Sequence, residues 1–424
     1  MTKKKNLISK DTLRQIFRDN WEDFKKKYQV YDTPQYDEAV QKMLGCGKKE
    51  NGYATYRCMH CGKQVVVAFS CKSSFCLSCA RSYVDRWVEY ISSHLFLGVK
   101  YRHVVLTMPE ELRIYFYRNK HLLAKLAAVG HKMMESALSE YFKEEVETGS
   151  IVVPQTAGRS GEWNPHLHII MTSGGLTKTK DRRWRELKYI PFEILHKKWQ
   201  YYLFGMVKEQ IGTEEATTHI DKLWRQYPNG LVAYLEKGDV PEGGKGLARY
   251  LVKYVVSPPI AVSRLIDYNG REVEYWWRDH KSHKREEARL GVMQFIGRMV
   301  QHILPKGFQR IRYYGLHGTC KAKKVRELLT QLSKGLEHAI EGTYKVIAER
   351  KYRDRIKEAF GIDPLKCKRC NREMELEEIY HPRYGVIYNG WKELIRDDEP
   401  GTRTGYAVRR PFKEVSLQMQ FVRA

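Results

Sequence analysis

The feature that most constrains this chain is its cysteine spacing. Cys58-Met-His-Cys61 and Cys76-Leu-Ser-Cys79 are two Cys-x-x-Cys pairs separated by fourteen residues, and six of the nine cysteines fall between Cys46 and Cys79. In each pair a tight turn brings two thiolates to one side, and two such turns complete a tetrahedral sulfur site for zinc. Four protein ligands leave no position for a substrate, so the expected role of zinc at Cys58, Cys61, Cys76 and Cys79 is structural. Cys46 and Cys71 remain, either as buried thiols or as ligands of a further zinc assisted by His60. A third pair, Cys367-Lys-Arg-Cys370, stands alone near the C-terminus; His317 and Cys320 have the residue types to supply the other two ligands of a second zinc site.

Charge points to the partner. Seventy-five Lys and Arg against fifty Asp and Glu give a formal charge of +25, a field suited to the phosphate backbone of nucleic acid. No apolar run approaches a membrane span, and the basic N-terminus lacks the apolar stretch of a secretory signal. A cytoplasmic, nucleoid-associated protein without membrane contact is expected. At 424 residues with 42% hydrophobic residues, the chain has material for two or three folded domains.

Periodicity gives a coarse order of elements. Leu13, Ile16, Phe17, Trp21 and Phe24 mark an amphipathic helix, and a helical pattern recurs from Ser82 to about Leu97. Tyr101–Met108 reads as a buried strand ended by Pro109, and residues 110–147 read as helical. Ser150–Thr156 and His166–Thr172 form strands joined by the short polar segment 157–162, which predicts a hairpin. Residues 190–226 are helical, a helix runs from about Leu247 to Val256, and residues 268–277 are β-structure with an Asn-Gly turn. Beyond Tyr314 the chain is mainly helical and basic to about residue 360.

Two constellations carry chemistry. His166 and His168 are two apart on a strand, so both imidazoles share a face, and in the hairpin Gln155 lies nearly opposite His166. Such a set can hold a divalent cation with positions left open for a phosphate, although paired histidines on a strand are more often structural. Tyr250 and Tyr254 are four apart on the predicted helix and share one face, with Arg249 and Lys253 beside them. A phenol can attack a phosphodiester and store its energy in a phosphotyrosine bond. Twenty-eight tyrosines would give roughly two such pairs by chance, so the spacing alone decides nothing.

Combined, the motifs are more specific. Ser70-Cys-Lys-Ser-Ser-Phe-Cys-Leu-Ser-Cys79, His103-Val-Val-Leu-Thr-Met-Pro109, Gln155-Thr-Ala-Gly-Arg159, Asn164-Pro-His-Leu-His168, the segment from Ala248 to Ile260, His302-Ile-Leu-Pro-Lys-Gly-Phe308 and Arg312-Tyr-Tyr-Gly315 resemble the two-tyrosine, IS91-type transposases among the HUH endonucleases. The resemblance spans about residues 40 to 320. It implies an α+β fold: an HUH-type antiparallel sheet with flanking helices, an N-terminal zinc-binding module and a mainly helical C-terminal region. The implied divisions are 1–95 for the zinc module, 96–265 for the catalytic domain with the paired-tyrosine helix, 266–330 for a basic β/α extension, and 331–424 for the C-terminal region.

The resemblance further implies Mg²⁺ or Mn²⁺ at His166, His168 and Gln155, with Tyr250 and Tyr254 as nucleophiles forming 5′-phosphotyrosine links during rolling-circle transposition. Arg249, Lys253 and Arg312 would contact DNA, and the substrates would be single-stranded transposon ends and target DNA. Phe75 and Leu77 depart from the family pattern at the last knuckle. The stretch Gly238–Gly246 has Lys245 followed by Gly246, where a phosphate-binding loop needs Ser or Thr. Strand separation is therefore expected to come from host replication or helicase factors. A plasmid replication initiator or relaxase, or a non-catalytic zinc-dependent regulator, are the alternatives. Tyr313 and Tyr314 are expected to pack internally.

Overall fold

A computed structural model describes residues 8, 9, 11–71, 73, 75–77, 79, 91, 94–96, 98–235, 259–279, 282–332, 363 and 365–390. The chain opens with helix α1 (Thr12–Lys27), which buries Leu13, Ile16, Phe17, Trp21 and Phe24, the face its periodicity predicts. Helix α2 (Pro34–Leu44) begins with proline at its first position, where the missing N–H costs no helical hydrogen bond. Strands β1 (Tyr53–Arg57) and β2 (Gln64–Ala68) then form an antiparallel hairpin around the first cysteine pair.

The central part runs β3 (Tyr101–Leu106), α3 (Arg113–Arg118), α4 (Leu122–Phe142), β4 (Val146–Glu147), β5 (Gly149–Ala157), β6 (Trp163–Thr172), β7 (Gly174–Thr177), β8 (Trp184–Glu186), α5 (Phe192–Ile211), α6 (Glu214–Gln226) and β9 (Ala233–Leu235). After an interval come β10 (Leu265–Tyr268), β11 (Glu272–Arg278), β12 (Arg285–Gly291), α7 (Val292–Val300), β13 (Arg312–Gly315), α8 (Ala322–Leu332), β14 (Glu375–His381) and β15 (Gly385–Asn389). Among the described residues no helix is long and apolar enough to cross a membrane.

The principal sheet has the order β13-β5-β6-β3-β9, and every neighbouring pair is antiparallel. Alternation along the strands splits its side chains between two faces. Val104, Leu106, Val152, Leu167, Ile169 and Met171 form one core with Leu126 and Met133 of α4 and with Trp199 and Leu203 of α5. Each such side chain, fully buried, contributes about 1.5–3 kcal/mol. Gly130 lets α4 approach closely, since a Cβ there would lie 2.5 Å from Leu167 Cδ1. Trp199 Nε1 donates to the Thr107 carbonyl at 2.6 Å and ties α5 to the end of β3.

A second core joins α1 and α2 to Cys46, Phe75, Cys76 and Cys79, to Leu265, Tyr268, Val273 and Tyr275 of the β10-β11-β12 sheet, and to Phe295, Ile296 and Met299 of α7. Residues 266–330 therefore do more than extend the catalytic region. Their first half packs on the N-terminal helices, and β13 then returns to the edge of the principal sheet beside β5. The Asn269-Gly270 turn between β10 and β11 is present, with Gly270 at φ +89°.

Helix α8 agrees with the helical reading beyond Tyr314. Of the region 331–424, expected to be mainly helical, the described residues include two strands, Glu375–His381 and Gly385–Asn389, which enter a sheet of order β15-β14-β1-β2 with the N-terminal hairpin. The pairing of β1 with β14 bridges more than 300 residues and carries an Arg57–Glu377 ion pair at 2.8 Å. The helix expected over residues 247–256 lies outside the described residues, as does most of the one expected over 82–97.

Candidate catalytic and metal centres

The hairpin of β5 and β6 positions the histidine site. Its register places Gln155 directly opposite His166, as the hairpin reading expects, and Val153 opposite His168. Directly opposed residues of an antiparallel pair project to the same face. Gln155, His166 and His168 therefore share the face turned away from α4. The register shifts between Gln155 and Ala157, a bulge that bends the strand beside the site.

His302, from the segment after α7, holds this bulge. Its Nδ1 lies 3.0 Å from the Thr156 hydroxyl and its Nε2 lies 2.9 Å from the Gly161 carbonyl. A neutral ring satisfies both by donating from Nε2 and accepting at Nδ1. Burial pushes its pKa down to about 4. Its ring also stacks on Trp163, and Trp163 Nε1 donates to the Arg113 carbonyl at 3.1 Å.

A third histidine joins the pair. His103 on β3 is buried, and its Nε2 lies 3.0 Å from His168 Nδ1, with the two rings stacked at 12°. His166 Nδ1 lies 2.7 Å from the Asn164 carbonyl, so that nitrogen carries the proton and donates it. In both rings of the pair Nδ1 is engaged within the protein, which directs metal coordination to Nε2. In that arrangement His168 donates from Nδ1 to His103, the outer partner that fixes tautomer and ring orientation in metal-ligating histidines.

Desolvation pushes the pKa of His166 down, with Arg113 adding to the effect against the Asn164 hydrogen bond. Desolvation, then His166 and His103, push His168 well below the usual imidazole range. Neutral imidazoles are what a cation needs. Two such nitrogens with an amide oxygen and open positions fit a divalent ion.

Other expected residues fall elsewhere. Arg312 pairs with Val152 on the α4 face of the sheet, and its guanidinium lies over the Phe308 ring at 5.5 Å. That placement turns it away from the histidine face, because alternation along β13 gives that face to Tyr313. Tyr313 and Tyr314 are half-buried; Tyr313 packs on His94 and Tyr314 stacks on His131. Tyr250, Tyr254, Arg249 and Lys253 lie outside the described residues.

The cysteines divide differently from their spacing. Cys76 and Cys79 gather with Cys46 and Cys71, while Cys58 and Cys61 gather with Cys367 and Cys370; within each set the sulfurs lie within 4.8 Å of one another. The expected single set of Cys58, Cys61, Cys76 and Cys79 is thus corrected, since β1 and β2 carry the first pair to β14. His317 and Cys320 are not partners of Cys367. His317 is buried 3.1 Å from the Tyr101 hydroxyl and stacked on Phe96, and Cys320 is exposed. His60 belongs to neither set. Both four-thiol sets suit structural zinc.

His103 is the functional candidate that the spacing of residues does not reveal. Its strand is legible, but its place beside His168 depends on the β3–β6 register, in which His103 faces Ile170.

A family model described as "Putative transposase" matches residues 149–324, and one described as "Transposase zinc-binding domain" matches residues 16–108. The chain is 27% identical over 350 residues to the "Transposase for insertion sequence element IS801" of Pseudomonas savastanoi pv. phaseolicola, covering 80% of this chain and 82% of that protein. It is 25% identical over 381 residues to "Putative transposase y4qJ" of Sinorhizobium fredii, covering 86% and 94%. No solved structure matches. With the zinc-binding and transposase regions in this order and these relatives, the comparisons support an IS91-family transposase.

Proposed function

We propose that this transposase cuts and rejoins single-stranded DNA through 5′-phosphotyrosine intermediates in rolling-circle transposition. The observation that carries the reading is the set of half-buried Gln155, half-buried His166 and buried His168 on one face of an antiparallel sheet, with His103 behind His168. His166, His168 and Gln155 would hold Mg²⁺ or Mn²⁺. When bound, such an ion polarises the non-bridging oxygens of a scissile phosphate.

Tyr250 and Tyr254 are the proposed nucleophiles. A phenol gives up its proton and its oxygen attacks phosphorus; the bond to the 3′-oxygen breaks, leaving a 5′-phosphotyrosine and a 3′-hydroxyl. Attack by a 3′-hydroxyl on that linkage restores the phosphodiester and the phenol, so joining needs no external energy source. Two nucleophiles allow one to hold the donor strand while the other cuts the target. Arg249, Lys253 and Arg113 are the proposed phosphate contacts. Arg113 acts electrostatically on His166, and its Nε is buried with no hydrogen-bond partner among the described residues.

The zinc module would bind element ends, with host replication or helicase factors separating the strands. The proposed setting is the cytoplasm, at the nucleoid. Labelled single-stranded element ends incubated with the protein and Mg²⁺ or Mn²⁺ test the reading. A denaturation-resistant adduct is expected, lost when Tyr250→Phe and Tyr254→Phe are combined. Binding without any adduct from the unmodified protein would leave a DNA-binding regulator instead.

A further inference from the structure

We propose that Cys58, Cys61, Cys367 and Cys370 form a second structural zinc centre that clasps the C-terminal segment to the N-terminal module. The zinc-binding family match ends at residue 108, so half of these ligands lie far outside it. This metal centre is independent of the proposed tyrosine chemistry.

The two pairs have the same local construction. Cys58 N–H donates to the Lys63 carbonyl at 2.9 Å, and Gly62 N–H donates to the Cys58 carbonyl at 2.9 Å. Cys367 N–H donates to the Arg372 carbonyl at 2.8 Å, and Asn371 N–H donates to the Cys367 carbonyl at 2.8 Å. The fourth residue after the leading cysteine is left-handed in both, Gly62 at φ +71° and Asn371 at φ +58°. Glycine and asparagine are the residues that adopt this conformation at least cost. Backbone N–H groups of His60 and Cys61 point at Cys58 Sγ, and those of Arg369 and Cys370 point at Cys367 Sγ. Each pair is thus a turn built to present thiolates.

The turns face each other across the sheet's end. Cys58 and Cys370 sulfurs are 3.4 Å apart, Cys61 and Cys367 3.5 Å, and Cys61 and Cys370 3.7 Å. A zinc–sulfur distance of about 2.3 Å implies tetrahedral edges of about 3.8 Å. A disulfide would need sulfurs about 2.05 Å apart. Cys58 and Cys367 are buried, while Cys61 and Cys370 are half-buried, and Met374, Tyr56 and Val65 pack around them.

Metal analysis of the reduced full-length protein tests this, with zinc expected at two equivalents per chain. Cys58→Ser/Cys61→Ser and Cys367→Ser/Cys370→Ser should each lose one equivalent. All four changes together should still lose only one, because both pairs serve one ion. Cys76→Ser/Cys79→Ser should lose the other. One equivalent in the unmodified protein, or loss of two in the fourfold variant with Cys46, Cys71, Cys76 and Cys79 intact, overturns the proposal. Cobalt titration of the unmodified chain covers variants that fail to fold. Thiolate-to-cobalt absorbance should saturate at two equivalents, and saturation at one would likewise overturn it.

Discussion

Along β6 the side chains of Leu167, Ile169 and Met171 enter the core beneath α4, while His166 and His168 project from the opposite face beside Gln155 and near His103. The two faces share a backbone and differ in what burial does for them. On the α4 face, burial of hydrocarbon stabilises the fold directly. On the histidine face, burial keeps imidazoles neutral and their rings fixed, a cost that only hydrogen bonds such as those to Asn164 and His103 offset. One strand therefore carries an apolar face and an imidazole face that separate mutations should distinguish.

The strongest test of that separation is His166→Ala combined with His168→Ala. Loss of cation binding worth several kcal/mol should cut DNA cleavage at least about 100-fold, with both zinc equivalents retained. Undiminished cleavage would remove the histidines from the chemistry. Ile169→Ala on the opposite face should behave inversely. It should cost about 2–5 kcal/mol of unfolding free energy in denaturant titration, while the folded fraction cleaves at the normal rate.

Acid should weaken the fold through His302, which pins the bulge beside the site through Thr156 and Trp163. Its folded pKa of about 4 lies below the ordinary value of 6.5, so between these pH values the unfolded chain binds a proton that the folded chain refuses. Its contribution to stability is complete above about pH 6.5 and declines as pH falls through 4, by about 3 kcal/mol in total. Urea midpoints of the unmodified protein should fall more steeply over this window than those of His302→Gln. Parallel slopes would refute the assignment. The smallest expected effect belongs to His103→Phe, which removes the acceptor for His168. Metal affinity, read as the Mn²⁺ concentration giving half-maximal cleavage, should weaken about 10–100-fold, with the maximal rate less affected.

What the sequence made legible was local. The buried face of α1, the β5–β6 hairpin with Gln155 opposite His166, and the Asn-Gly turn all follow from patterns within a few residues. The cysteine partnerships did not, because a Cys-x-x-Cys spacing states that two thiolates share a turn but not which turns meet. Cys61 and Cys367 are 306 positions apart, and their meeting depends on β1 pairing with β14. His103 escaped for the same reason, its neighbour being set by strand register. Nor does its motif reveal that Arg312 lies on the α4 face, alternation along β13 giving the other face to Tyr313.

The sheet joining β14 to β1 has a consequence during synthesis. A ribosome adding about 5–20 residues per second releases β1 tens of seconds before β14 exists. Until then one edge of β1 presents unpaired backbone groups, and a bare strand edge invites pairing with another chain. Translation that stops early leaves this edge permanently open, so truncated copies should aggregate rather than compete with finished protein for DNA.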